Sequence, residues 1–81
     1  MVQVTLWGGL VPLAGGQKTL DVEASSIREL FRKLEERYPS LSGPLKTEVA
    51  VAVNGTIYRD DWSISLPKDA EIYLMRRLAG G

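Results

Sequence analysis

The 81-residue chain contains no cysteine and no histidine. Without cysteine there is no disulfide to brace a small fold, no thiolate nucleophile and no cysteine metal site. Without histidine the usual acid/base group of neutral pH and the commonest metal ligand are both missing. An excess of either charge is lacking too, because 10 Lys and Arg balance 10 Asp and Glu. That balance argues against a chain held to nucleic acid or to a membrane by bulk charge. No apolar run is long enough to span a bilayer, and no basic-then-apolar leader precedes the first strand-like segment, so the expected location is cytoplasmic. What remains, 44% hydrophobic and 25% charged residues, is the balance of one small globular domain with a thin core.

The pattern along the chain alternates first with period two. Val2, Val4 and Leu6 share one face of a strand over residues 2–7, and Leu20 and Val22 share one face of a second strand after the Gly15-Gly16 loop. Ser26-Ile27-Arg28-Glu29 fits a capping box: the Ser26 hydroxyl accepts from the amide of residue 29 and the Glu29 carboxylate returns to the serine amide. From Ile27 the apolar residues Leu30, Phe31, Leu34 and Tyr38 form one helical stripe, with Glu29 and Lys33 spaced for a weak ion pair on the solvated face. Pro39 stops the helix. A loop through Gly43-Pro44 leads to a strand over residues 48–53, valines on one face and alanines on the other. Asn54-Gly55 signals a type I′ hairpin into residues 56–58. Asp60-Asp61-Trp62 reads as a turn, Ile64 and Leu66 as core contacts, Pro67-Lys68-Asp69-Ala70 as the last corner and residues 71–75 as a final strand, with Trp62 packed beneath the last turn. One helix on one face of a mixed sheet of four to five strands, with the first and last strands parallel at its centre, is the β-grasp or ubiquitin-like architecture, an α+β fold. The expected division is a β-grasp domain over 1–76 and a flexible diglycine tail over 77–81.

Candidate sites are few. Gly15-Gly16-Gln17-Lys18-Thr19 lacks the contiguous Gly-Lys-Thr and the following helix of a phosphate loop. Asp60-Asp61 has no spaced co-ligands and reads as a solvated turn, so no metal site is expected. Trp7, Tyr73 and Met75 share an outward parity and are the candidate apolar partner contacts, whereas Arg76 and Arg77 either solubilise the tail or pair with a partner's carboxylates. The most informative feature is Leu78-Ala79-Gly80-Gly81. Two glycines with no Cβ can thread a channel closed to other residues. The Gly81 carboxylate, condensed with ATP, becomes an acyl-adenylate open to a sulfur or amine nucleophile. Taken alone, the same two glycines also read as a frayed end.

The order and spacing of these pieces resemble the MoaD/ThiS family of ubiquitin-like sulfur carriers, most closely MoaD, the small subunit of molybdopterin synthase. The matching residues are the opening strand, Ser26-Ile27-Arg28-Glu29-Leu30, Leu34-Glu35-Glu36-Arg37-Tyr38-Pro39, Val51-Ala52-Val53-Asn54-Gly55, Asp69-Ala70-Glu71-Ile72 and Leu78-Ala79-Gly80-Gly81. Met75-Arg76-Arg77 departs from the apolar or proline-containing stretch that MoaD proteins often carry there. The resemblance implies a non-catalytic subunit that binds no cofactor. A MoeB-like or ThiF-like adenylyltransferase would use ATP to activate Gly81, with Gly80 beside it, and sulfur would then form a thiocarboxylate. A MoaE-like large subunit would receive the tail, and residues 76–79 would contact these partners. Other acceptors, such as the thiazole of thiamine, or attachment to proteins as a modifier, are the alternatives.

Overall fold

Every second residue of β1 (Val2–Leu6) is buried, as alternation on a one-sided sheet requires. The computed structural model describes residues 1–47, 49–59 and 61–77. Four further strands complete the sheet: β2 (Thr19–Val22), β3 (Val49–Val53), β4 (Thr56–Tyr58) and β5 (Glu71–Arg76). Their order is β2-β1-β5-β3-β4. The central pair, β1 with β5, is parallel, with Val4 opposite Ile72 and Leu6 opposite Leu74, and the other pairings are antiparallel. This is the β-grasp fold that the element pattern predicts.

Helix α1 (Ile27–Arg37) buries Ile27, Leu30, Phe31 and Leu34. At its start the Ser26 hydroxyl accepts from the Glu29 amide at 3.1 Å, as a capping box requires. The return bond differs from the expected one: the Glu29 carboxylate accepts from the amide of Ser25, at 2.7 Å, one residue earlier in the chain. Two of the amides that a helix start leaves without intrahelical partners, those of Ile27 and Arg28, donate to the carbonyls of Ile64 and Trp62. The segment after β4 thus runs across the helix start and seals it. There Trp62 meets Phe31 edge to face, with ring centroids 4.9 Å apart, so it packs against α1 rather than beneath the last turn. Glu29 does not pair with Lys33 as its spacing suggests; the helix-surface ion pair is Arg32 with Glu36, and Lys33 donates to the Glu23 carbonyl.

Beyond Pro39 the structure departs from the expected loop. A 3₁₀ turn (Pro39–Leu41) leads into a short helix α2 (Ser42–Thr47), anchored by buried Leu41 and Leu45. Pro44 is tolerated because it sits in the first turn, where its missing N–H has no intrahelical acceptor to lose. Another 3₁₀ turn, Val11–Ala14, lies between β1 and β2 and brings Leu10 and Ala14 into the core. The hairpin after β3 matches its sequence signal, with φ of 47° at Asn54 and 90° at Gly55. The Asn54 side chain also accepts from the Glu71 amide at 2.9 Å, which ties the hairpin to the start of β5. All the strand and helix residues expected in the core are buried. Among the described residues no helix is long and apolar enough to cross a membrane.

Leu30 is fully enclosed between α1 and the sheet and Val51 lies at the centre of β3, so truncating either leaves a cavity. Leu30→Ala should cost about 2–5 kcal/mol and Val51→Ala less, read as shifts of the urea midpoint at unchanged slope. The Glu29 carboxyl is held below the usual glutamate range, first by the Ser25 amide that donates to it. Folding therefore lowers its pKa, and its contribution is complete above the ordinary glutamate range and lost as the pH falls through the lowered folded value. Glu29→Gln should flatten this part of the acid limb in a pH series of thermal melts.

Candidate functional site

β5 carries the chain out of the centre of the sheet, between β1 and β3, and its last residues set the geometry of the site. Leu78, Ala79, Gly80 and Gly81 lie outside the described residues. The alternation that buries Ile72 and Leu74 turns Arg76 to the helix side of the sheet. There it lines a cleft of about 180 Å³ together with Trp7, Gly9, Leu10, Leu13 and Pro44. Arg77 has the opposite parity, is half-buried, and donates from its guanidinium to the Arg59 carbonyl just beyond β4. The two adjacent arginines thus differ in setting: Arg76 ends β5 and lines the cleft, whereas Arg77, just beyond the strand, reaches the Arg59 carbonyl.

The outer face of the sheet presents a second feature. Tyr73 stands between Thr5 and Ala52 in register, Ile57 lies opposite Ala52, and Met75 lies beside Ala50. Tyr73 and Ile57 are 47% and 56% exposed and Met75 is half-buried, whereas Ala50 and Ala52 are buried although they sit on this outer face. Small floor residues rimmed by larger apolar ones form a contiguous apolar surface of the kind that marks a protein contact. Tyr73 and Met75 thus share the outward parity read from the sequence.

Trp7 does not join them as a freely exposed ring. β1 ends at Leu6, so strand alternation no longer directs residue 7; the chain instead turns, with the Leu10 amide donating to the Trp7 carbonyl at 2.9 Å. The half-buried indole packs against the core and lies over Gly9, where a Cβ would sit 2.5 Å from Nε1. Leu10, Leu13 and Pro44, which build the cleft around it, carried no site signal in the sequence beyond the glycine pair after Trp7.

None of the buried residues is polar or charged, and among the described residues no group of three or more acidic side chains could hold a metal. The Asp61 carboxyl is lowered by the Ser63 hydroxyl and then the Ser63 amide, which makes it a turn-closing residue; Asp60 lies outside the described residues. Lys18 leads directly into β2, and no helix follows the Gly15-Gly16 pair. The arrangement can present a strand end, two oriented cations and an apolar face.

Comparison with solved structures returns the same fold in several settings. The crystal structure of CysO from Mycobacterium tuberculosis, described as an antigen, is 18% identical with a TM-score of 0.85, over 96% of this chain and 100% of that one. Small archaeal modifier protein 1 from Methanosarcina acetivorans is 22% identical with a TM-score of 0.79, over 99% of this chain and 95% of that one. The protein–protein complex of subunits 1 and 2 of the molybdopterin-converting factor from Helicobacter pylori contains a chain 24% identical with a TM-score of 0.67, over 99% of this chain and 97% of that one. A comparison with curated proteins finds no match. A family model matches residues 4–81, from β1 through the final glycine, and on that match the chain belongs to the ThiS family of ubiquitin-like sulfur carriers.

Proposed function

We propose that the Gly81 carboxylate of this carrier is adenylated with ATP by an adenylyltransferase of the MoeB or ThiF type, releasing pyrophosphate. The outer sulfur of a persulfide donor then attacks the Gly81 carbonyl and expels AMP to give an acyl disulfide, and a second thiol of the donor or of the adenylyltransferase cleaves its S–S bond, leaving the thiocarboxylate and a disulfide. In this reading the chain is the small, non-catalytic subunit of a molybdopterin synthase, and its tail enters a MoaE-like large subunit that passes the sulfur to a pterin precursor. The observation that carries the reading is the family match, which runs through Gly80 and Gly81. In this reading labour is divided: the chain, which has neither histidine nor cysteine, supplies reach and a small reactive group, and its partners supply the acid/base groups. Ordering the tail in a partner's channel costs about 1–2 kcal/mol per residue in backbone entropy. Docking of the globular surface offsets that cost, with Trp7, Tyr73, Met75, Arg76 and Arg77 in the contact and Leu78 and Ala79 following the strand into it. The Helicobacter pylori relative, solved as a complex of two converting-factor subunits, is consistent with such a pairing.

A second reading has its own support. The likeness to a protein named an archaeal modifier favours transfer of activated Gly81 to lysines of other proteins. Intact mass of the chain from its native host separates the two, since one oxygen exchanged for sulfur marks the carrier and added mass on other proteins marks the modifier.

Because the proposed chemistry uses a backbone carboxylate, folding and activation should separate. Deleting Gly81, or adding one residue after it, should leave the melting temperature almost unchanged and abolish ATP-dependent adenylation by the cognate enzyme. Gly80→Ala should fold normally and slow activation, because a Cβ obstructs a channel fitted to glycine. Full adenylation of an extended chain without prior proteolysis would defeat the proposal.

A further inference from the structure

The cleft at the end of β5 has a composition that the outer sheet face does not share. Its walls are apolar, formed by Trp7, Leu10, Leu13 and Pro44, and its single charged lining residue is Arg76. Arg76 is exposed and forms no ion pair with the described residues. The Trp7 indole Nε1, a donor only, makes no hydrogen bond with the described residues and lies over Gly9 at the same cleft. Two donors and no acidic side chain therefore border an apolar recess. The recess has room for about one large side chain of a partner.

We infer that this cleft docks a segment of the adenylylating enzyme in which an apolar side chain enters between Trp7, Leu13 and Pro44 and a neighbouring carboxylate pairs with Arg76 and the Trp7 indole N–H. Charge complementarity selects the acid, because a basic segment would meet Arg76 with like charge. Position selects the partner. Gly81 lies five residues beyond Arg76, and a fully extended chain of that length reaches at most about 18 Å. Whatever holds the cleft must accordingly keep its own active site within that distance of it. The inference rests on the carrier reading, and activation of Gly81 is the step common to every acceptor that reading allows. The interface then wraps around the end of the sheet, from the outer patch at Tyr73 and Met75 to the helix side at Arg76. Gly9 is required because any side chain there would collide with the indole that forms one wall.

The test titrates the cognate adenylylating enzyme into the full-length chain by calorimetry, for the wild type, Arg76→Glu, Arg76→Lys and Leu13→Gln. In the same titration the indole N–H resonances of Trp7 and Trp62 are followed, and ATP–pyrophosphate exchange is assayed on the wild-type mixture. Arg76→Glu and Leu13→Gln should each weaken binding about tenfold, as for loss of one paired or enclosed interface group, and Arg76→Lys should weaken it less because the charge is retained. The Trp7 resonance should move on binding while that of Trp62, on the face against Phe31, should stay. Arg76 is exposed, so Arg76→Glu keeps the test valid even where Leu13→Gln lowers stability. Equal affinities for wild type and Arg76→Glu, an unmoved Trp7 resonance, or no binding by the wild type would overturn the cleft assignment. Binding without pyrophosphate exchange would instead defeat the carrier reading, with the affinities still deciding the cleft.

Discussion

The parallel pairing of β1 with β5 is the constraint on which the rest of the molecule depends. It brings the two ends of the sequence together at the centre of the sheet, with Val4 opposite Ile72 and Leu6 opposite Leu74. Parallel neighbours cannot be joined by a tight turn, so everything between them must form a crossover. That crossover supplies α1, the core that covers the inner face, and the flanking strands. Within the sheet β5 is flanked by β1 as far as Leu74 and by β3 through Arg76.

The helix start shows how a chain this short satisfies its polar groups without buried side-chain networks. Ser26 and Glu29 close the box from within the helix and its approach, and the carbonyls of Trp62 and Ile64 take the Ile27 and Arg28 amides from outside. The irregular segment between β4 and β5 is thus part of the frame. It places Trp62 against Phe31 and Leu66 in the core, and it delivers the chain to the corner where Asp69 adopts positive φ before β5 begins. None of the described residues is both buried and polar or charged, so what holds the interior they form is apolar packing with backbone pairing.

The chain belongs to the ThiS family, and in the proposed reading it acts by being handled. Its surface is divided into an apolar outer patch on an alanine floor and a cleft on the helix side, and the strand end lies between them. Arg76 lines the cleft, whereas Arg77, adjacent in sequence and just past the end of β5, donates to the Arg59 carbonyl. Such a division suits the proposed carrier role, in which separate surfaces are read by separate partners while the same residue, Gly81, is acted on.

Much of the fold was legible in the residues because its signals are local. Alternation marked β1, β2, β3 and β5, the 3.6-residue stripe marked α1, and Asn54-Gly55 marked the hairpin, each through a backbone preference that acts within a few residues. The β-grasp topology followed from their order, since few arrangements bury these faces together. The four residues that carry the proposed chemistry were equally plain in the sequence. Tertiary structure decided what depended on distant partners. Gly43-Pro44 looked like a loop, yet Leu41 and Leu45 found core to bury in and drew α2 out of it. Trp7 looked like an outward strand residue, but β1 stops at Leu6 and the space over Gly9 receives the indole. Glu29 looked paired with Lys33, but the Ser25 amide lies closer to its carboxylate. The cleft exists only because Leu10, Leu13, Pro44 and Arg76, drawn from three separate stretches of chain, meet at one end of the sheet. Spacing in sequence specifies which residues share a face, whereas where a strand ends and what packs beside it are set by the whole core at once.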